Sequence, residues 1–212
     1  MSDMIDVTGS GRLLALVSPL IVALASCGAA PSGEKAAPAN AEPGFRTEVV
    51  AQFDEPWAMA FDKGTGILLV TEKKGTMRFR VPGGQIGQVS GLPKVDTTGQ
   101  GGLGDVAFAP DQRGGTSLDG RVIYLSWAEA GEGGTRGAAL GRATLACSEP
   151  LACTLQGLKV IWRQAPKVTG GGHYSHRIAF SPDGKYLFLS SGERQKMTPA
   201  QELTNNLGKV LR

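Results

Sequence analysis

Along residues 45–212 the apolar positions fall in short alternating runs, and Gly, Pro, Asp or Asn separates each run from the next. No long stretch repeats apolar residues at the three-and-four spacing of an amphipathic helix. Period-two alternation broken by turn residues predicts half-buried strands and tight turns, hence an all-β protein. Three segments share one shape: "PWAMAFDKGTGILLVTEKKGTMRFRV" from Pro56, "GDVAFAPDQRGGTSLDGRVIYLSWAEA" from Gly104 and "HRIAFSPDGKYLFLSSGE" from His176. Each reads as a strand ending in Ala-Phe, an Asp-containing turn and a second apolar strand. In the latter two, Pro and Asp stand where turn geometry wants them, so Asp111 and Asp183 read as turn residues.

The anchoring residues Phe61, Phe108 and Phe180 are 47 and 72 positions apart. Four-stranded propeller blades repeat about every 40–45 residues, so the first interval fits one blade and the second predicts a blade carrying an insertion. The repeats argue for a β-propeller, with a β-sandwich as the alternative, and residues 45–212 hold enough chain for about three to four blades. The closing run "LGKVLR" reads as a further strand with an open edge, an aggregation hazard by itself. The expectation is therefore the N-terminal part of a longer propeller.

Composition refines this picture. The 31 glycines and 12 prolines among 212 residues suit a turn-rich β protein, and 41% apolar content is ample for a core. The formal charge of +3 is small and dispersed, with no basic patch interleaved with aromatics, which argues against a nucleic-acid partner. Trp57, Trp127 and Trp162 read as packing between blades.

The N-terminus carries a separate message. "LLALVSPLIVALAS" is apolar but too short for a comfortable membrane span, and it leads into "LASCG". Residues 1–26 read as a signal peptide whose end resembles a bacterial lipobox, making Cys27 the lipidated residue; the alternative is a plain secretory signal with Cys27 incidental. Asp3 and Asp6 against Arg12 depart from the usual positive charge of such a segment. Residues 27–44, rich in Ala, Pro and small polar residues, read as a disordered tether. Together these predict a periplasmic or cell-envelope protein that meets the membrane only through an anchor at Cys27.

In an oxidising compartment Cys147 and Cys153, six apart around Ser148-Glu149-Pro150, can close a short hairpin as a disulfide. Zinc is the rival, but two thiols with no second pair make a poor structural site.

Both histidines of the chain lie in "VTGGGHYSHRIAF", residues 168–180. A metal pair, a general base and an ordinary loop before a core strand compete as readings of His173 and His176. On an extended segment, positions three apart face opposite ways, which argues against one shared ligand. By spacing alone His173 is a loop residue, His176 belongs to the following strand, and Arg177 pairs at its edge. Asp96 has no assigned role.

"FDEPWAMAFDKGTGILLVTEKKGTMRF", "TTGQGGLGDVAFAPD", "GGGHYSHRIAFSPDGKYLFLSSGER" and "AQELTNNLGKVLR" occur in this order. In series they resemble the soluble glucose/sorbosone dehydrogenase family, nearest to its aldose sugar dehydrogenases. The resemblance implies a six-bladed propeller that oxidises aldoses at the anomeric carbon, with pyrroloquinoline quinone (PQQ) and Ca2+ as cofactors and an unidentified electron acceptor. It implies His173 as the catalytic base, Gln100 as a substrate contact and Arg194 as a polar residue at the substrate rim. It places Gly172 where glucose-oxidising relatives carry an Asp, which points to a broader aldose range. It sets the quinone-contacting and calcium-ligating residues beyond Arg212, so the chain holds no metal ligand set and is expected to be inactive by itself; the alternative function is a non-catalytic cell-surface propeller that binds a glycan or protein. An imidazole titrating near pH 6.5 suits the chemistry, since it accepts a hydroxyl proton at neutral pH.

Overall fold

The alternating runs become eleven strands among the described residues, 46–112 and 114–212, of a computed structural model. Residues 1–45 lie outside them, and with them the signal, the Cys27 anchor and the tether. Strands β1 (Pro56–Phe61), β2 (Leu68–Glu72), β3 (Thr76–Arg80) and β4 (Ile86–Ser90) form one antiparallel meander. β5 (Leu103–Phe108), β6 (Val122–Ala130), β7 (Arg136–Glu149) and β8 (Ala152–Arg163) form a second. β9 (Ser175–Phe180), β10 (Leu187–Ser191) and β11 (Lys209–Leu211) form a three-stranded third.

The three anchoring phenylalanines close the first strand of each meander: Phe61 ends β1, Phe108 ends β5 and Phe180 ends β9. Their turns are locally sealed. Thr65 donates from its amide and hydroxyl to Asp62 Oδ2 at 2.9 and 2.8 Å, and the Ser181 hydroxyl and Lys185 amide both donate to Asp183.

The first strands are also neighbours in space, β1 against β5 and β5 against β9. The last strands of the first two meanders meet as well, where Gln88–Ser90 of β4 runs parallel to residues 152–154 of β8. That pairing joins both meanders in an eight-stranded sheet of order β1-β2-β3-β4-β8-β7-β6-β5.

The core lies between the meanders. Leu69, Met77 and Phe79 of the first pack with Leu103, Ile123, Leu125, Trp127 and Leu145 of the second. Leu140 of the second packs with Ile178 and Leu189 of the third, under Tyr124 and Trp162. Each such side chain contributes about 1.5–3 kcal/mol by leaving water. Trp57 lies outside these clusters and is 46% exposed, and its ring stacks on His176 of β9.

The added chain expected in the 72-residue interval lies largely in the last two strands of the second meander, with the Cys147–Cys153 loop at their tip. β7 and β8 run 14 and 12 residues, against five each for β3 and β4, and so make one long hairpin. Cys147 and Cys153 are bonded across its tip.

Polar side chains bridge the meanders near the start of their first strands. The Thr71 hydroxyl donates to the Gly104 carbonyl at 2.6 Å. Asp105 accepts from the Ile178 amide at 2.7 Å and from Arg177 at 3.2 Å, so Arg177 does pair at the edge of β9. Burial raises the Asp105 carboxyl above its ordinary value, against the pull of those donors.

Candidate active site

Three loops converge before β5 and β9 and after β10. The first, residues 96–102, is pinned at Asp96, which accepts from the Thr98 amide at 2.9 Å and from Arg136 Nε at 3.0 Å. Desolvation opposes charge on Asp96, but Thr98 and Arg136 outweigh it and hold the carboxyl below its ordinary value. The Gln100 amide then donates to the Gly171 carbonyl at 2.6 Å. This approach requires Gly99, at φ 60°, because a Cβ there would sit 2.4 Å from the Gly171 oxygen.

The second loop carries His173 between the glycine run and Tyr174. Its backbone amide donates to Gln100 Oε1 at 2.8 Å, so the structure brings the expected base and the expected substrate contact together. With Oε1 occupied, Gln100 keeps its NH2 donors for another partner. The His173 side chain is half exposed.

The third loop supplies a residue that spacing did not reveal. Glu193 Oε1 is hydrogen-bonded to His173 Nδ1, while Glu193 Oε2 accepts from the Met197 amide at 2.7 Å. The Met197 amide first, and His173 second, bring the Glu193 carboxyl down to about 2. An ionised carboxylate only accepts, so Nδ1 of His173 carries a proton, and in the neutral tautomer Nε2 is the nitrogen with the lone pair. Nε2 has no hydrogen-bond partner among the described residues. The hairpin register aligns Glu193 with His173, through an irregularity between Leu189 and Ser191 that no local pattern signals. Ser191 pairs with Ser175, which sets position 193 opposite 173.

Arg194 departs from its expected place at the rim, because it is fully buried. Its Nε donates to the Gly172 carbonyl at 2.8 Å, Nη1 to Arg136 O at 2.7 Å and Nη2 to Gly170 O at 2.6 Å. Carbonyls scattered over the chain thus satisfy a guanidinium that a solvent-facing rim would leave to water or substrate.

His176 is buried on β9, with Nδ1 2.8 Å from the Ser126 hydroxyl, and its ring stacks on Trp57 at 5.8 Å between centroids. Burial, then the Arg194 charge, pushes this imidazole from 6.5 down to about 4. His173 outside and His176 inside do not meet as a ligand pair.

The quinone implied by the sequence is a polycarboxylate. The site fits its reacting end, with an imidazole Nε2 and an amide donor beside a glycine-rich loop. Among the described residues it offers no spare guanidinium for the carboxylates, since Arg136 is paired with Asp96 and Arg194 is spent on carbonyls.

A family model described as Glucose / Sorbosone dehydrogenase matches residues 53–212. The aldose sugar dehydrogenase YliI of Escherichia coli (strain K12) is 37% identical over 163 residues, 76% of this chain and 41% of that protein. A solved glucose dehydrogenase superposes with TM-score 0.65 at 37% identity, over 75% of this chain and 44% of its own. A second solved glucose dehydrogenase gives 0.67 at 38%, covering 75% and 47%. The soluble aldose sugar dehydrogenase of E. coli, in its apo-form, gives 0.64 at 37%, covering 74% and 43%. The chain spans less than half the length of each of these relatives.

Proposed function

Because the chain belongs to the glucose/sorbosone dehydrogenase family, we propose that the intact protein oxidises aldose sugars to lactones, with His173 as general base. The observation that carries this reading is the His173 ring, held by Glu193 at Nδ1 and free at Nε2. Nε2 takes the proton of the C1 hydroxyl as the hydrogen on that carbon departs as hydride. The chemistry supplied by PQQ and Ca2+, when bound, is hydride acceptance at a polarised carbonyl. Glu193 stabilises the imidazolium that forms, and the Gln100 NH2 donates to a sugar hydroxyl. Gly172 puts no carboxylate beside the base, which favours a range of aldoses over glucose alone.

The three meanders, with adjacent first strands, support a six-bladed ring in the intact protein, of which this chain forms the N-terminal blades and by itself lacks activity. The N-terminal signal and Cys27 support export to the cell envelope and lipid anchoring. The test is reconstitution of the intact gene product with PQQ and Ca2+, assayed on several aldoses with an artificial electron acceptor. We expect quinone-dependent turnover that His173→Ala abolishes. No such turnover, or full activity in the variant, refutes the proposal.

A further inference from the structure

Arg194 is a buried cation without a carboxylate partner among the described residues. Burying an unpaired charge is costly, and apolar packing would ordinarily be the more stable solution. The position of its partners explains its presence. Gly170 and Gly172 lie just before His173, and both carbonyls accept from Arg194. Tyr174 lies just after His173, and its ring sits under the guanidinium with Cζ 3.6 Å from the centroid. The Arg194 amide itself donates to the His173 carbonyl at 3.3 Å. The residue before Arg194 is Glu193, whose carboxylate holds the imidazole.

Backbone strain concentrates in the same two segments. Of the eight non-glycine residues with positive φ among those described, His173, Ser175 and His176 lie in one, and Arg194, Gln195 and Met197 in the other. Such conformations persist only where the surroundings over-determine them. A run of three glycines supplies no such restraint, having the freest backbone available.

We propose that Arg194 is a positioning residue: it clamps the glycine loop on both sides of His173 and sets the imidazole in register with Glu193. The inference deepens the assignment of His173 as base and rests on it for its catalytic consequence. The clamp itself has a readout that does not depend on turnover. The His173 ring resonances are identified by nitrogen-15 NMR as those that His173→Ala removes.

The experiment compares the intact gene product with its Arg194→Met and Arg194→Lys variants. Methionine fills similar volume without donors, and lysine keeps the charge but cannot present a planar fork to carbonyls on three sides. In the parent protein the His173 ring is expected in the Nδ1–H form with a slowly exchanging, Glu193-bonded proton. In both variants that proton exchanges rapidly and the ring becomes a mixture of tautomers. Under the assay conditions above, kcat falls on the order of 100-fold while KM changes by less than about threefold, as expected for a base displaced by about 1 Å.

A folded variant that keeps the Nδ1–H form and the parent kcat overturns the proposal. So does failure of both variants to fold, which would make Arg194 a folding determinant. If His173→Ala proves fully active but the Arg194 variants still lose the Nδ1–H form, the clamp stands and the assignment of His173 as base falls.

Discussion

Stability of the protein should fall steeply with acid in a window set by one buried imidazole. His176 is 1% exposed, and its tautomer follows from its neighbours. The Ser126 hydroxyl donates to the His176 carbonyl at 2.7 Å, so Nδ1–H must be the donor in the Ser126–His176 pair. Protonation would place a charge in a buried site. Burial, followed by the Arg194 charge, lowers its folded value from 6.5 to about 4. Between those values the unfolded chain binds a proton that the folded one refuses, so stability rises with pH. The contribution is complete above about pH 6.5 and is lost as pH falls toward 4, amounting to about 3 kcal/mol.

The perturbation is His176→Asn, whose amide can replace Nδ1–H as donor to Ser126 but does not titrate. Losing the ring stacked on Trp57 should cost about 0.5–1.5 kcal/mol at every pH. Urea denaturation of both proteins at pH 7.0, 6.0 and 5.0 measures the difference. Every other titrating group is common to the pair. The parent curve should therefore be steeper by about 1.2 kcal/mol between pH 6 and 5. Parallel curves would refute the reasoning, since they would mean that His176 takes up its proton equally in both states.

Three further outcomes follow from the loops and the hairpin tip. Glu193→Gln keeps an acceptor for His173 Nδ1 but removes the charge, and kcat in the quinone-dependent aldose assay should fall on the order of 100-fold with little change in melting temperature. A Cβ at Gly192 would lie 1.8 Å from the His173 carbonyl oxygen, whereas one at Gly172 meets only the flexible end of Gln195, at 2.5 Å. Gly192→Ala should thus cost about 1–3 kcal/mol in chemical denaturation and abolish turnover, while Gly172→Ala should fold with a smaller loss. Replacing Cys147 and Cys153 together by Ser should lower stability by about 2 kcal/mol, and adding reductant to the parent protein should reproduce that loss in the same denaturation experiment.

Local chemistry made much of the fold legible. Alternation along "TMRFR" buries Met77 and Phe79 and leaves Arg78 and Arg80 partly exposed, and each Ala-Phe before an Asp-containing turn ends a strand. Gln100 and His173 were readable through the motif series, and the structure sets them in direct contact. Cys147 and Cys153 needed only their spacing and a hairpin. These features depend on neighbours in the chain, where period and turn geometry act.

What the tertiary structure alone decided depends on groups far apart in sequence. The sheet irregularity between Leu189 and Ser191 shifts the pairing by one residue, and that shift aligns position 193 rather than its neighbour with His173. Arg194 reads as a surface arginine in any local pattern. Its burial rests on carbonyls of Arg136, Gly170 and Gly172, which come within reach only when the second and third meanders pack. The parallel contact of β4 with β8 is likewise invisible to periodicity, because alternation specifies which face a residue takes but not which strand lies beside it.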